Sequence, residues 1–182
     1  MADKKRVARK LRKIKLLLLD VDGVLTDAGI FYSASGVEMK RFNAHDGYGV
    51  VRAREHGLRL GIISGRQSPI VDVRAREMQI TDVVQNASDK VKAMEDLRLR
   101  HGVEVDEVAY IGDDLFDLPL LNAVGFSAAP GNALPPVRKA VDYVTAASGG
   151  DGAVRELIDL IISSQTAPDT QTDRLARAVT VG

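Results

Sequence analysis

The amino-acid sequence predicts an α/β fold, a doubly wound parallel β-sheet of the Rossmann-like type with helices on both faces. Two observations support this prediction. Short apolar runs alternate along the chain with segments of helical periodicity, which implies right-handed βαβ crossovers. The first of these runs, Leu16–Leu19, has no polar alternation, which is typical of a strand that is buried on both faces.

Six runs are the strand candidates of this sheet, and helix candidates lie between them. A short amphipathic helix is also expected near the N-terminus, where Val7, Leu11 and Ile14 are spaced at i, i+4 and i+7. The predicted strands are residues 14–19, 59–63, 82–85, 108–111, 126–128 and 143–144, and the other predicted helices are residues 47–55, 69–78, 89–100, 115–122, 135–139 and 152–163.

One segment interrupts the alternation. Residues 29–43 contain two short extended runs around the turn-forming sequence Ser-Ala-Ser-Gly, which predicts a β-hairpin that projects from the sheet. Because the hairpin follows the aspartates that end the first strand, it is expected to overhang them. We also expect it to be too close in sequence to Asp20 to cover its own site easily. A neighbouring subunit is the expected contact of its apolar residues Phe31, Tyr32 and Met39.

Length and composition are those of a globular protein. The chain has 182 residues, of which 45% are hydrophobic and 27% charged, and it contains no cysteine, which excludes disulfides and thiolate metal sites. We expect a single domain over residues 1–165 and a flexible tail over residues 166–182. No apolar run is long enough to span a membrane or to form a secretory signal, so a cytoplasmic protein without a membrane partner is expected.

Charge is distributed unevenly along the chain. Residues 1–15 carry eight lysines and arginines against one aspartate, whereas residues 16–182 carry 17 basic and 24 acidic residues, a net charge of −7. Since the body of the chain has no basic surplus, nucleic acid is not expected as a partner.

Polar side chains follow several predicted strands at the point where each strand ends. Ligands of parallel α/β sheets bind beyond these carboxyl ends, so the side chains are expected to converge on one rim. They are Asp20 and Asp22 after the first strand, Ser64, Gly65 and Arg66 after the second, Lys90 near the start of the helix after the third, and Asp113, Asp114 and Asp117 after the fourth.

These residue types suit phosphoryl transfer. The carboxylates of Asp20, Asp22 and Asp113 are hard oxygen ligands, which Mg²⁺ prefers. The cation, Lys90, the Ser64 hydroxyl and the backbone N–H groups of residues 21–24 could offset the charge of a phosphate. Asp20 could then act as a nucleophile and form an aspartyl-phosphate. Asp22 could donate a proton to the leaving oxygen and later take one from the hydrolytic water.

Each motif alone has a simpler interpretation. An Asp-x-Asp-Gly sequence is often only a turn, and a strand-to-helix turn commonly contains Ser-Gly. Lys90 alone would be a solvated helix residue, and Asp113 with Asp114 could mark a helix N-terminus, where the dipole favours acids. The occurrence of all of them in chain order, each at a strand end, favours a site.

The same residues resemble the motifs of the haloacid dehalogenase superfamily of phosphotransferases. The sequences "DVDGVLTD", "IISGR", "SDKVKAM" with Lys90, and "IGDDLFDLPLL" stand where that family has its four motifs, and the match covers residues 14–162. The resemblance implies that Asp20 is the nucleophile and Asp22 the general acid and base. It further implies that Ser64 and Lys90 bind phosphate.

The resemblance also implies a set of metal ligands. Asp20 and Asp113 would bind Mg²⁺ through their carboxylates and Asp22 through its carbonyl group. Asp114 would support the water shell of the metal.

The spacing of the motifs resembles the capless subgroup of that superfamily. Only 36 residues separate Asp27 from Ser64, and only 22 separate Lys90 from Asp113, so neither gap has room for a cap domain. The fuller match, with "FNAHDGYGV" and "GGDGAVRELIDLI", resembles the family of 3-deoxy-D-manno-octulosonate 8-phosphate phosphatases. The resemblance implies a sugar-phosphate substrate, a role in lipopolysaccharide precursor synthesis and a homotetramer in which the hairpin of one subunit covers the neighbour's site.

Two positions depart from the pattern of that family. His45 and Asp151 stand where many members have arginine, so contacts to an anionic sugar acid are affected more than the chemistry. His45 and Arg66 are retained as substrate-binding candidates. Lys40 and Arg41 are also candidate anion contacts, although a solvated surface charge is the simpler interpretation of both.

Three other functions remain open. The first is a phosphatase for a related nonulosonate or another sugar phosphate, and the second is a non-catalytic oligomerisation domain. A complete set of Asp20, Asp22, Lys90 and Asp113 argues against the second. The third is a phospho-aspartate receiver module, in which adjacent acids follow the first strand, whereas here the Asp-Asp pair follows the fourth.

Overall fold

A computed structural model describes residues 2–166, with side chains described from residue 5 onward. These residues contain eight strands and seven α-helices. The strands are β1 (Leu16–Leu19), β2 (Phe31–Tyr32), β3 (Glu38–Met39), β4 (Arg59–Ile63), β5 (Asp82–Val84), β6 (Val108–Ile111), β7 (Phe126–Ala129) and β8 (Tyr143–Val144). The helices are α1 (Ala2–Leu11), α2 (Ala44–Glu55), α3 (Pro69–Met78), α4 (Lys90–His101), α5 (Leu118–Ala123), α6 (Pro135–Ala140) and α7 (Ala153–Thr166).

Six of the strands form one parallel sheet in the order β5-β4-β1-β6-β7-β8, and β2 pairs with β3 as a separate antiparallel hairpin. The predicted doubly wound sheet and projecting hairpin are therefore confirmed. The described residues contain no cap domain. None of the described helices is both long and apolar enough to cross a membrane.

Strand β1 is buried on both faces, as its uniform leucines predict. Leu17 and Leu19 pack into one core with apolar residues of α2, α3 and α7, whereas Leu16 and Leu18 pack into a second core with α4, α5 and α6. Two layers of helices thus enclose the sheet. This burial fixes the strand whose end carries Asp20.

The bounds of some elements differ from the prediction. Strand β1 begins at Leu16 instead of residue 14, because the N–H of Ile14 donates to the carbonyl oxygen of Leu11 at 3.2 Å and continues the turn that ends α1. Residues 115–122 are divided into a 3₁₀ turn at Leu115–Asp117 and helix α5. The predicted tail lies outside the described residues, apart from Thr166, which ends α7.

Helix α2 begins three residues earlier than predicted. The side chain of Asn43 caps the helix by accepting a hydrogen bond from the backbone N–H of His45 at 2.7 Å. Residues 47–49 therefore lie inside α2 and not at its start. At Gly49 a Cβ atom would lie 3.2 Å from the Cα of Arg155, so this glycine allows α2 to approach α7 closely.

Candidate active site

The loop after β1 brings two acidic segments into contact at the carboxyl end of the sheet. The backbone N–H of Asp20 donates to the carbonyl oxygen of Ile111, the last residue of β6, at 3.1 Å. Gly23 in this loop has a φ of +88°, and a Cβ atom there would lie 2.0 Å from Asp113 Oδ2. Glycine is therefore required where the loop passes Asp113. Gly149 supports the loop from behind, since a Cβ there would lie 1.8 Å from the carbonyl oxygen of Gly23.

Lys90 is the cation at the centre of this acidic site. Its side chain is buried, and its Nζ lies 3.0 Å from Asp20 Oδ1 and 2.6 Å from Asp117 Oδ1. Asp89 places the lysine at the first position of α4, because its carboxylate caps the helix by accepting from the N–H of Lys92 at 3.0 Å. The solvated interpretation of Lys90 is therefore excluded.

Asp117 organises the site from below, a role that the sequence did not reveal. Its Oδ1 accepts hydrogen bonds from Lys90 Nζ and, at 2.6 Å, from the buried hydroxyl of Tyr110. Its Oδ2 accepts from the backbone N–H groups of Asp113 and Asp114 at 2.9 and 3.1 Å. Asp117 thus fixes both the lysine and the loop that carries Asp113. Two features of the sequence could have indicated this role of Asp117: its spacing of four residues from Asp113, and the glycine at position 112, which leaves room for its carboxylate.

The negative charge of Asp20, Asp113 and Asp117 is greater than the single positive charge of Lys90. Burial raises the pKa of Asp20 to about 7 in spite of the opposing charge of Lys90. Burial, together with the charges of Asp117 and Asp114, raises the pKa of Asp113 to about 7. Burial alone would lower the pKa of Lys90, but the charges of Asp20 and Asp117 outweigh it and raise that pKa. The lysine is therefore an ammonium at neutral pH, and the carboxylates still call for a further cation.

The donor set fits a divalent metal ion. Oxygen atoms of Asp20, Asp113 and Asp117 lie within 4.8 Å of one another. Each oxygen of Asp117 already accepts two hydrogen bonds, so Asp117 is occupied in holding its neighbours and is the weaker candidate for a ligand. Asp20 and Asp113 remain as the carboxylate donors. Hard oxygen donors of this kind suit Mg²⁺.

Asp22 has a different environment from Asp20. Its Oδ1 lies 2.5 Å from Lys40 Nζ, and its Oδ2 lies 3.5 Å from Arg66 Nη1. The carboxylate of Asp22 is therefore paired with two cations and is not part of the cluster formed by Asp20, Asp113 and Asp117. The surface interpretation of Lys40 was wrong, since the side chain of Lys40 is fully buried.

One cavity of about 210 Å³ collects the predicted site residues from four segments of the chain. Ser64 is buried in its wall, and its Oγ accepts from the N–H of Arg66 at 3.3 Å. A larger cavity of about 760 Å³ surrounds residues 12–15 at the opposite end of β1, but it contains none of the predicted site residues. The smaller cavity is lined by Asp20, Asp22, Ala28, Ser64, Gly65, Arg66, Lys90, Asp113, Asp114, Phe116 and Asp117.

The structure does not bring His45 into this cavity. His45 lies exposed on the first turn of α2 and is not among the residues that line the site. Arg41 is also outside it. Its half-exposed guanidinium pairs with Asp27 at 3.0 Å and Asp151 at 3.2 Å, which agrees with the surface interpretation. Asp151 therefore partners Arg41 at the surface.

The hairpin contacts its own site, contrary to the expectation that it is too close in sequence to do so. Glu38 and Lys40 follow the period of two that places alternate strand residues on one face. Both contact site residues, since Glu38 accepts from Arg66 at 3.0 Å and Lys40 pairs with Asp22. The apolar Phe31 and Met39 are more than half exposed. The same hairpin therefore has one polar face toward the cavity and an uncovered apolar surface.

Comparison with known proteins agrees with this constellation. The model of a protein family described as haloacid dehalogenase-like hydrolase matches residues 66–157, which include Lys90 and Asp113. The chain therefore belongs to the haloacid dehalogenase-like hydrolases.

Within this class, the similarity extends over most of the chain to one group of enzymes. The 3-deoxy-D-manno-octulosonate 8-phosphate phosphatase of Escherichia coli K12 is 42% identical over 159 residues, which are 87% of this chain and 85% of the relative. The Moraxella catarrhalis phosphatase of the same name, solved with magnesium, phosphate and KDO, superposes with a TM-score of 0.86 at 38% identity, covering 96% of this chain and 98% of that chain. The cobalt-bound phosphatase of Haemophilus influenzae superposes with a TM-score of 0.83 at 38% identity, over 91% and 99% of the two chains.

Proposed function

We propose that this chain is a Mg²⁺-dependent phosphatase that hydrolyses 3-deoxy-D-manno-octulosonate 8-phosphate to the free sugar acid and phosphate. One observation carries the proposal: a single cavity holds Asp20, Asp22, Ser64, Lys90 and Asp113. Similarity to phosphatases of that substrate over 87% of the chain supports the choice of sugar.

Asp20 is the nucleophile of the proposed reaction. Its carboxylate oxygen attacks phosphorus, the bond from phosphorus to the sugar oxygen breaks, and an aspartyl-phosphate forms. Lys90 and the Ser64 hydroxyl stabilise the charge of the transferred phosphoryl group, as do the backbone N–H groups of residues 21–24. Gly65 leaves room for the ring of Phe116, since a Cβ atom at this position would lie 3.1 Å from Phe116 Cε1. When bound by Asp20, Asp113 and the carbonyl group of Asp22, Mg²⁺ supplies the remaining positive charge, and Asp114 supports its water shell.

Asp22 is the general acid and base. It donates a proton to the leaving sugar oxygen in the first half of the reaction. In the second half it takes a proton from the water that attacks the aspartyl-phosphate, which releases phosphate and regenerates Asp20. Its separation from the metal-binding carboxylates, through the pairing with Lys40 and Arg66, supports this division of roles.

The exposed apolar side of the hairpin supports a homo-oligomer. Phe31 and Met39, which pair across the two strands, are each 54% exposed, and Ile30, Tyr32 and Val37 of the same hairpin are exposed as well. Contiguous apolar surface of this kind marks a protein contact. The proposed assembly is a tetramer in which this surface closes the open cavity of a neighbour, so that water is limited around the phosphoryl group. The proposed setting is lipopolysaccharide precursor synthesis in the cytoplasm.

A substrate panel tests the proposed function. The purified protein is incubated with Mg²⁺ and each of several sugar phosphates, and released phosphate is measured. We expect the highest kcat/KM for 3-deoxy-D-manno-octulosonate 8-phosphate, and no release in excess chelator. A preference for a nonulosonate phosphate would reassign the substrate. His45 and Asp151, which stand where many family members have arginine, would then account for the difference. No release from any ester, with a stable oligomer, would establish the non-catalytic alternative.

A further inference from the structure

Glu38 connects the hairpin to the rim of the cavity. Its Oε1 accepts a hydrogen bond from Arg66 Nη2 at 3.0 Å and lies 3.4 Å from Lys40 Nζ. Its Oε2 accepts from Ser68 Oγ at 2.5 Å. Ser68 is itself buried, and its backbone N–H donates to the side chain of Gln85 at 2.7 Å. The carboxylate is therefore anchored at the start of α3 and holds two cations of the rim.

Both of these cations face Asp22, and the Nη1 atom of Arg66 lacks a hydrogen-bond acceptor within the described residues. Lys40 Nζ lies 2.5 Å and Arg66 Nη1 lies 3.5 Å from the two oxygens of Asp22. Among the described residues, Arg66 Nη1 is a buried donor without a hydrogen-bond partner. Because an unsatisfied buried donor of a charged group is costly, this atom indicates the position of an anionic ligand in the cavity.

The position of Arg66 assigns that anion to the leaving group of the substrate. In the proposed reaction Asp20 attacks phosphorus and Asp22 protonates the leaving oxygen. A cation beside Asp22 therefore faces the departing sugar acid, whereas Lys90 and Ser64 serve the transferred phosphoryl group. The charged group of a sugar acid is its carboxylate, which an arginine fork binds well.

We propose that Glu38 is a positioning residue that orients Arg66 for the carboxylate of the leaving sugar acid. This inference rests on the proposed function. Without the Glu38 carboxylate, Arg66 Nη2 keeps only the Tyr32 hydroxyl, at 3.4 Å, as an acceptor, and the nearest remaining carboxylate of the guanidinium is Asp22. Glu38 then contributes to the choice of substrate without touching it.

The test compares two substrates in Glu38→Gln. One is 3-deoxy-D-manno-octulosonate 8-phosphate, and the other is p-nitrophenyl phosphate, which has no carboxylate. We expect KM for the sugar substrate to rise about fivefold or more with kcat within about twofold, because the carboxylate contact is made equally in the ground and transition states. The loss in kcat/KM should be smaller for p-nitrophenyl phosphate, because this ester has no carboxylate contact to lose. Glu38→Asp restores part of the loss, and the exposed Glu55→Gln serves as the matched control.

A double-mutant cycle separates positioning from general stability. In an Arg66→Ala background, Glu38→Gln should raise KM no further, because its effect passes through the guanidinium. If Glu38→Gln does not fold, Ser68→Ala, which removes only the hydroxyl that anchors the carboxylate, should give the same KM shift on a smaller scale. Equal losses with both substrates, or a further loss in the Arg66→Ala background, would overturn the positioning role alone. Failure of the wild-type protein to hydrolyse either ester would instead refute the proposed function, and the inference with it.

Discussion

The buried hydroxyl of Tyr110 tests how the central lysine is held. In Tyr110→Phe the ring remains, but Asp117 Oδ1 loses a donor at 2.6 Å and Lys90 Nζ loses a contact at 3.0 Å. A hydrogen bond to a charged group contributes roughly 1.5–3 kcal/mol, so the free energy of unfolding should fall by about that amount. Since Asp117 then holds Lys90 less firmly, kcat should fall about tenfold, equivalent to ~1.4 kcal/mol of transition-state stabilisation.

Urea denaturation and steady-state kinetics measure the two effects of Tyr110→Phe. Tyr143→Phe is the matched control, because the Tyr143 hydroxyl also donates to a carboxylate, that of Glu156 at 2.7 Å, and Tyr143 does not line the cavity. The control should lose stability and keep its kcat. If Tyr110→Phe lost stability without any change in kcat, the hydroxyl would serve only the core, and the proposed support of Lys90 through Asp117 would be refuted.

Three further predictions concern the nucleophile, the metal site and its titration. Asp20→Asn should abolish phosphate release while the circular dichroism spectrum is retained; release at the wild-type rate would show that Asp20 is not the nucleophile. Gly23→Ala should weaken Mg²⁺ binding at least tenfold in calorimetry, because the new methyl group would meet Asp113 Oδ2 at 2.0 Å, whereas Gly36→Ala on the open hairpin turn should bind normally. The pKa values of Asp20 and Asp113 are both raised to about 7. Between pH 4 and 7 the metal-free folded protein therefore binds more protons than the unfolded chain, and its stability falls as the pH rises through that range. Thermal unfolding should therefore show a larger stabilisation by Mg²⁺ at pH 8 than at pH 5, and an equal effect at both would contradict the role of these carboxylates.

The strand framework could be predicted from the sequence because local composition determines it. The run Leu16–Leu19 has no polar residue, and a strand between two helical layers buries such a run completely. Once β1 is fixed, the rule that ligands bind beyond strand ends places Asp20, Ser64 and Asp113 together. The single cavity that these residues line agrees with that reasoning.

The supporting residues could not be found in the same way because their roles depend on burial. Asp117 was predicted only as one of three acids after the fourth strand, yet it is 1% exposed and accepts four hydrogen bonds. The motif that contains His45 suggested a substrate contact, whereas His45 is exposed on the first turn of α2 and does not line the cavity, so its role in binding stays a prediction. A motif shows where a residue lies in the sequence, whereas the exposure of its side chain depends on how the helices pack in the folded chain.

The sequence of the hairpin predicts a polar face and an apolar face. Glu38 and Lys40 are separated by one residue, so in an extended strand both face one side while Met39 faces the other. The structure has this arrangement, with the two charged residues at the site and Met39 exposed. A short strand with charged residues on one face and apolar residues on the other needs a different contact for each face. In this chain the charged face meets Asp22 and Arg66 of the same subunit, and the apolar face is left for the contact that we propose with a neighbouring copy.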